Sequence, residues 1–457
     1  MKTIFIPIFF GHVARNILRT TVLENLLSSG SRVVIFFPRL KEKFYRQEFS
    51  HSNLILEPVE FRTDNKRALK MNNLSYLFLN SKTNFIKQKM AAKNLLKYYS
   101  KAVLIIFLSS FKIFKKAYYK KYLKVMTDNF FAPYFEKYKP DLVFCPHTYG
   151  KEDMAMLREA KKRKIKSVAV VNSWDNLSTR GIMRILPDKM IVHNDYMKSE
   201  ALKWSTMKEK DIKVAGMPHF DYYVNYQPDS KKEFCQKTGL NPDKRFLLFC
   251  PPVNSLHWSW KNLLNDLKSE ILDGSLPRDL QILVRFAPTD DEDMSQYDLN
   301  DPIVKYDKPG KYFNPGAAND WGEGRKDWEF TQEDMRHFAN SLYYAELMLN
   351  YGSTLNIDGA AFDLPLINIV FDDRTEKGRK FVEWLFIKTH NSKLFSTGGT
   401  KLVYNRQELI KAINQYLEDP FLNKAGRKRM IEQQYGPDFD GRAGERMTNF
   451  VIQQLNA

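Results

Sequence analysis

Between Asn65 and Thr127 the chain contains no aspartate and no glutamate, although fifteen lysines and arginines fall in the same stretch. Cysteine is scarce as well. Cys145, Cys235 and Cys250 are odd in number and scattered, which excludes a disulfide framework or a zinc-ligand spacing and suits a reducing cytoplasm. No apolar run reaches the roughly 18–20 residues that a membrane-spanning helix needs. The N-terminus, MKTIFIPIFFGHVARN, has no small-residue cleavage site and reads as a first buried strand, not a signal peptide. A Gly-x-x-x-x-Gly-Lys-Ser/Thr loop for ATP and a Gly-x-Ser-x-Gly turn for a serine hydrolase are both missing.

What is present suits a globular α/β protein. The 457 residues exceed one ordinary core and divide naturally into two domains of about 200 residues. Residues 3–10 are strand-like and end at Gly11–His12, residues 14–27 are helical, and 31–37 form a second strand. Residues 54–58 give a third short strand. Alternation resumes at 142–145, with a helix at 152–163 and strands at 167–171, 188–192 and 212–216. The polar segment Tyr223–Asp243, with Pro228 and Pro242, marks a domain boundary. Fresh alternation starts at 246–250 and continues through the helix 261–271, the strand 280–285 and a polar loop to about Asp327. A helix at 332–345, opened by Thr331 and Asp334 as a capping box, then leads to the apolar strand Leu347–Leu349. A strand near 402–403, a helix at 406–417 and a last helix at 441–455 complete the chain.

The most informative stretch is LMLNYGSTLNIDGAAFDLPLI, residues 347–367. Strand, glycine turn, helix, loop and strand make a βαβ unit. Ser353 and Thr354 stand at the helix start, where backbone N–H groups and two hydroxyls suit an anion. Asp358, one turn on, is placed to accept from a ribose hydroxyl. An ordinary Ser/Thr-capped helix is the alternative reading of the same residues.

This segment resembles the nucleotide-sugar motif in the C-terminal domain of GT-B glycosyltransferases, through Gly352, Ser353, Thr354, Asp358 and Pro365. Two positions depart from the pattern. Asp363 replaces a common Gly, leaving the turn before Leu364 open to question. Asn350 stands where many retaining enzymes carry Glu, so the resemblance implies inverting chemistry. Sugar-nucleotide epimerases share the motif. The string Ser173-Trp-Asp-Asn-Leu177, together with Val214–Asp221, is similar to bacterial capsule and surface-polysaccharide enzymes of GT-B architecture. Two doubly wound Rossmann-like domains with a cleft between them are therefore expected. Residues 1–225 form the acceptor-side domain, with a basic helical insertion at 65–135. Residues 244–435 form the nucleotide-sugar domain, and the helix of 436–457 returns toward the first domain.

In open α/β sheets, ligands bind beyond the carboxyl ends of strands. The resemblance implies a base after the first strand, His12, with Asp175 as its rival; a capping His and an Asx-turn are the structural alternatives. Asn254 and Ser255, after the strand 246–250, could donate to phosphate. Arg285 opens Arg-Phe-Ala-Pro, similar to an Arg-x-His-Pro string of the same group but with Ala287 replacing the His. It could neutralise a leaving diphosphate or form a structural ion pair. His390 resembles a His near the donor in related enzymes. His219 and Asp221 are read as positioning the hinge. Asp290–Asp291 and Asp372–Asp373 are adjacent pairs, not the Asp-x-Asp that holds a divalent ion in the other glycosyltransferase architecture. Neither a metal nor a cofactor is expected.

Within the acid-free stretch, lysines recur every four residues: Lys89, Lys93, Lys97, Lys101, then Lys112, Lys116, Lys120, Lys124. That spacing sets each series along one side of a helix. With the apolar run Ala102–Phe111 between them, they suggest a helix lying on an anionic membrane surface. A solvated helical hairpin is the alternative, and no recognised nucleic-acid module is present, so no nucleic-acid partner is expected. The expectation is a metal-independent, inverting glycosyltransferase, peripheral on the cytoplasmic membrane face. It moves sugar from a nucleotide-sugar to a lipid-linked or glycan acceptor. The alternatives are a CDP-polyol phosphotransferase of teichoic-acid type, a sugar-nucleotide epimerase, and an inert membrane-binding scaffold.

Overall fold

Thr3–Pro7, buried along its whole length, is the strand β1 around which the first sheet is built. The other strands are β2 (Arg32–Pro38), β3 (Leu54–Val59), β4 (Leu142–Cys145), β5 (Lys166–Val170), β6 (Lys189–Val192) and β7 (Ile212–Val214). All pair in parallel, in the order β3-β2-β1-β4-β5-β6-β7. Continuous apolar runs such as Val33–Phe37 suit this, because helices cover both faces of such a sheet. The computed structural model describes residues 1–60, 66–252, 260–290, 292–313, 327–372, 376–436 and 438–457, with only the backbone at 376–378 and 381. Two units divide the chain. The first comprises Met1–Tyr222, Trp321–Asp327 and Asp438–Ala457; the second comprises Tyr223–Asp320 and Trp328–Pro437.

The C-terminal helix Ala443–Asn456 adds Met447, Val451 and Leu455 to the core of the first unit. Each such burial contributes about 1.5–3 kcal/mol. Asp221, read from the sequence as positioning the hinge, holds the start of this helix: its carboxylate accepts from Ala443 N at 3.0 Å and Gly444 N at 2.7 Å. The single helix expected over 14–27 is two, Gly11–Ile17 and Thr21–Ser28, because the Thr20 side chain caps the second.

Among the described residues five α-helices lie in the connection between β3 and β4: Lys66–Ser75, Lys82–Ala91, Leu95–Ser110, Lys112–Val125 and Ala132–Tyr138. The first lysine series is therefore divided. Lys89 ends one helix, Lys93 lies in the connection, and Lys97 and Lys101 belong to the next, which Asn94 caps by accepting from Lys97 N at 2.9 Å. Lys112–Lys124 share one helix as expected. Ile105, Tyr118 and Tyr122 face inward, whereas Leu96 (79% exposed), Val103 (66%) and Ile113 (69%) face out.

In the second unit, β8 (Arg245–Phe249), β9 (Leu280–Arg285) and β10 (Val304–Asp307) precede the two-stranded hairpin β11 (Lys311–Tyr312) and β12 (Trp328–Glu329). The strands β13 (Leu347–Asn350), β14 (Leu366–Ile369) and β15 (Lys401–Val403) follow. The second sheet is parallel, in the order β10-β9-β8-β13-β14-β15. β10 falls where a polar loop was expected, since its half-buried Val-Lys-Tyr-Asp is an edge with weak apolar signal. The polar boundary segment likewise contains a helix, Lys231–Thr238, opened by a Ser230–Glu233 capping box.

Candidate functional site

Each sheet reverses its strand order once, between β1 and β4 in the first unit and between β8 and β13 in the second. The loops leaving those strands at their carboxyl ends diverge there, opening a crevice suited to a ligand.

In the first unit, His12 follows β1 and His147 follows β4. Their rings lie 6.0 Å apart, edge to face, with Phe10 against both. Gly150 N donates to His147 Nδ1 at 2.8 Å, and Asp153 Oδ2 lies 3.8 Å from the same nitrogen. His147 escaped the sequence reading; its position just past a strand was the available signal, but its pairing with His12 depends on β1 and β4 being neighbours. The loop after β5 carries Asp175, whose carboxylate accepts from Ser173 Oγ at 2.6 Å and Thr179 Oγ1 at 3.2 Å. Asn16 Nδ2 ties this loop to the helix after β1 by donating to Asn172 Oδ1 at 3.1 Å. Behind them are His193 and His219. Burial pushes His193 down to about 4. Burial also holds His219 well below the usual histidine range, helped by the charges of Arg15, His193 and His12. Both are neutral structural groups at neutral pH.

In the second unit, three buried asparagines build the turn after β13. Asn350 Oδ1 accepts from Ser353 N at 3.1 Å and Asn356 Nδ2 at 3.0 Å. Asn368 Oδ1, at the end of the neighbouring β14, accepts from Gly352 N at 2.8 Å. Asn368 Nδ2 donates to Asn356 Oδ1 at 2.7 Å and to Thr400 Oγ1. All three are fully buried. Buried amides need every partner satisfied, so this network fixes the turn. Gly352 has φ +69°, in the left-handed region that suits glycine. Asn350 thus holds the turn from within.

The helix that follows is short, Leu355–Ala361. Ser353 Oγ accepts from Leu355 N at 3.3 Å, while the Thr354 side chain makes no capping bond. Gly359 is required by packing: a Cβ there would stand 2.7 Å from Leu366 and 2.9 Å from Met348. Asp358 is 5% exposed and accepts from Tyr223 Oη at 2.8 Å. The turn before Leu364 forms without its usual glycine. Asp363 adopts φ +53°, a conformation aspartate tolerates better than most residues, and its carboxylate pairs with Arg427 and Lys424.

Other expected residues divide. The helix Thr389–Phe395 carries His390 and lies against the turn, with Asn391 Nδ2 donating to Gly352 O at 3.4 Å. Arg285 is buried, ion-paired with Asp307 and set over the Phe338 ring; Asp307 also lies 3.2 Å from His337 Nε2. The structural pairing weighed for Arg285 is therefore the one the second unit contains. Asn254 and Ser255 lie outside the described residues. Among the described residues no group of three or more His, Cys, Asp or Glu is placed to hold a metal ion. No helix of the described residues is long and apolar enough to cross a membrane.

Residues 61–313 match the family described as CDP-Glycerol:Poly(glycerophosphate) glycerophosphotransferase. Among curated proteins no sequence matches the chain. Among solved structures, the Staphylococcus aureus MnaA–UDP complex is similar at 13% identity and a TM-score of 0.56, over 100% of this chain and 97% of that one. UDP-GlcNAc 2-epimerase from Neisseria meningitidis bound to UDP-GlcNAc is 12% identical with a TM-score of 0.56, over 99% and 100%. A variant of the wall teichoic acid polymerase TagF is 12% identical with a TM-score of 0.51, over 100% and 89%. At these identities the likeness is one of fold, and the fold is GT-B: two Rossmann-like units, each with a parallel sheet.

Proposed function

Because the chain belongs to the CDP-glycerol:poly(glycerophosphate) glycerophosphotransferase family, we propose that it transfers a polyol phosphate from a CDP-polyol to a hydroxyl of a polyol-phosphate acceptor. The match over residues 61–313 carries this reading. The chain is a GT-B transferase, and the alternative of an inert scaffold loses its support.

Donor binding falls to the second unit. The Gly352–Thr354 turn would receive the phosphates, Asp358 and Tyr223 the ribose, and His390 would flank them. The rigid asparagine network pre-organises that turn, so little ordering is left to be done on binding. Acceptor activation falls to the first unit, where His12 or Asp175 takes the proton of the attacking hydroxyl. The hydroxyl oxygen forms a bond to the polyol-bearing phosphorus, the bond from that phosphorus to the bridging oxygen breaks, and CMP leaves with that oxygen. His147, beside His12, would orient that imidazole.

Glycosyl transfer from a nucleotide-sugar is the second reading. It rests on residues 347–367, which lie beyond the family match and carry the Gly-Ser-Thr and Asp358 pattern. Calorimetry with CDP-glycerol, UDP-sugars and GDP-sugars separates the two, and binding of CDP-glycerol alone is expected. Asp358→Ala should weaken that binding by about 1.5–3 kcal/mol, the range of a charge-assisted hydrogen bond. Preference for a nucleotide-sugar would overturn the first reading.

The enzyme is further proposed to work at the cytoplasmic face of the membrane on a lipid-linked acceptor. The exposed Leu95, Leu96, Val103, Phe107 and Ile113 form an apolar surface beside the exposed Lys93, Lys97, Lys101, Lys112, Lys116 and Lys120. Apolar contact with the lipid interface and attraction to anionic head groups would act together there.

A further inference from the structure

The helical connection between β3 and β4 also reaches the loop that carries Asp175. Ser81 Oγ donates to Ser178 O at 2.6 Å, Lys87 Nζ to Thr179 O at 2.8 Å, and Ile182 N to Ser75 O at 3.4 Å. From the other side, the loop after β4 holds the same segment. Tyr149 Oη donates to Gly181 O at 3.4 Å, and Arg184 Nη2 donates to Tyr149 O at 2.8 Å. Three cations are thereby gathered in one place: Lys87, Arg180 and Arg184.

Two of the three, Lys87 and Arg184, lack a carboxylate partner within ion-pair distance among the described residues; each bonds only a backbone carbonyl. The Asp175 carboxylate acts on both Lys87 and Arg180 and accepts from two hydroxyls. Arg184 Nε is buried without a partner, as are the Tyr119 hydroxyl and the Thr148 hydroxyl next to Tyr149. Burial and then the Arg180 charge push the Lys87 ammonium down. Half-buried like charges are costly unless an anion joins them.

We propose that Lys87, Arg180 and Arg184 form a phosphate-binding site beside Asp175, which grips a phosphate of the acceptor and so presents its terminal hydroxyl for attack. Lys87 comes from the helix Lys82–Ala91, and Arg180 and Arg184 from the segment between the Asp175 loop and β6; cations converging from two elements suit a tetrahedral oxyanion, which accepts bonds from several directions, better than a planar carboxylate. The guanidiniums supply paired donors and Lys87 a point charge. The connection whose outer face is basic and apolar thus contributes, on its inner side, to acceptor recognition. The inference rests on the family-based reading for the acceptor's chemistry, though not for the existence of an anion site.

The test measures binding of a short poly(glycerophosphate) oligomer and, separately, of farnesyl diphosphate, to the full chain and to Lys87→Met and Arg184→Met. Loss of about tenfold or more per cation is expected, the lower end for a charge-assisted hydrogen bond, with CDP-glycerol binding retained. Weakening confined to the oligomer assigns the phosphate to the chain's phosphodiesters; weakening confined to farnesyl diphosphate assigns it to a lipid carrier. Folded variants that bind both probes as the wild type does overturn the proposal. The wild type gives an independent check. Pyridoxal phosphate and borohydride should label Lys87, and the oligomer, but not glycerol, should protect it; labelling indifferent to the oligomer also overturns the proposal. A wild type that binds the oligomer but not CDP-glycerol would sink the donor reading and leave this site standing.

Discussion

Replacing Asn368 with alanine removes the amide that joins β14 to the turn after β13. The Gly352 N–H, 2.8 Å from Asn368 Oδ1, would lose its acceptor in a fully buried site. Leaving such a donor unpaired costs about 1–3 kcal/mol, and the lost bond to Asn356 adds about 1 kcal/mol. The sum, about 2–4 kcal/mol, is not additive with neighbouring substitutions, because Asn350, Asn356 and Thr400 share the network. Asn368→Asp is the informative companion: it keeps the acceptor for Gly352 N–H but removes both donors. If roughly half of the loss falls on the turn's bound geometry, nucleotide affinity should drop about fivefold to thirtyfold. Urea unfolding and calorimetry with the donor nucleotide read the two effects separately. An Asn368→Ala protein with unchanged stability and unchanged nucleotide affinity would refute the argument that this network pre-organises the donor turn.

Three further outcomes are expected. The pKa of His193, about 4 in the folded chain against about 6.5 unfolded, means the unfolded state binds more protons in that window. Its contribution is full above about pH 6.5 and is lost as pH falls toward 4, by about 3 kcal/mol, with His219 acting in the same sense; urea unfolding across that range should flatten in His193→Asn. For the base, His12→Ala or Asp175→Ala should reduce turnover by roughly 10²–10⁴ with donor binding intact, and near-normal rates in both would place the base elsewhere. At the membrane, Glu at Lys97, Lys101, Lys112 and Lys116 should abolish co-sedimentation with anionic vesicles at low salt, since the attraction is screened over about 8 Å at physiological ionic strength. Equal pelleting of wild type and variant would leave the exposed lysines without that role.

Alternation of apolar runs was enough to reveal both doubly wound sheets, since buried parallel strands are apolar along their length. What escaped was local or non-local in identifiable ways. Thr20 and Asn94 each cap a helix, breaking a helix and a lysine series that periodicity alone ran together. Edge strand β10 carries too little apolar signal to stand out from a polar loop. The turn after β13 was legible as Gly-Ser-Thr followed by Asp358, whereas its support was not. Asn350, Asn356 and Asn368 meet only because β13 and β14 pair side by side. The same is true of His147 beside His12, and of Lys87, which is more than eighty residues in sequence from the loop it contacts.

The nucleotide released on turnover tests the central claim most directly. Transfer of a polyol phosphate from CDP-glycerol leaves a nucleoside monophosphate, whereas glycosyl transfer from a nucleotide-sugar leaves a nucleoside diphosphate. Purified protein incubated with CDP-glycerol and a membrane-anchored glycerophosphate primer should release CMP in step with lengthening of the primer. Release of a nucleoside diphosphate from a nucleotide-sugar, with CDP-glycerol untouched, would contradict the account.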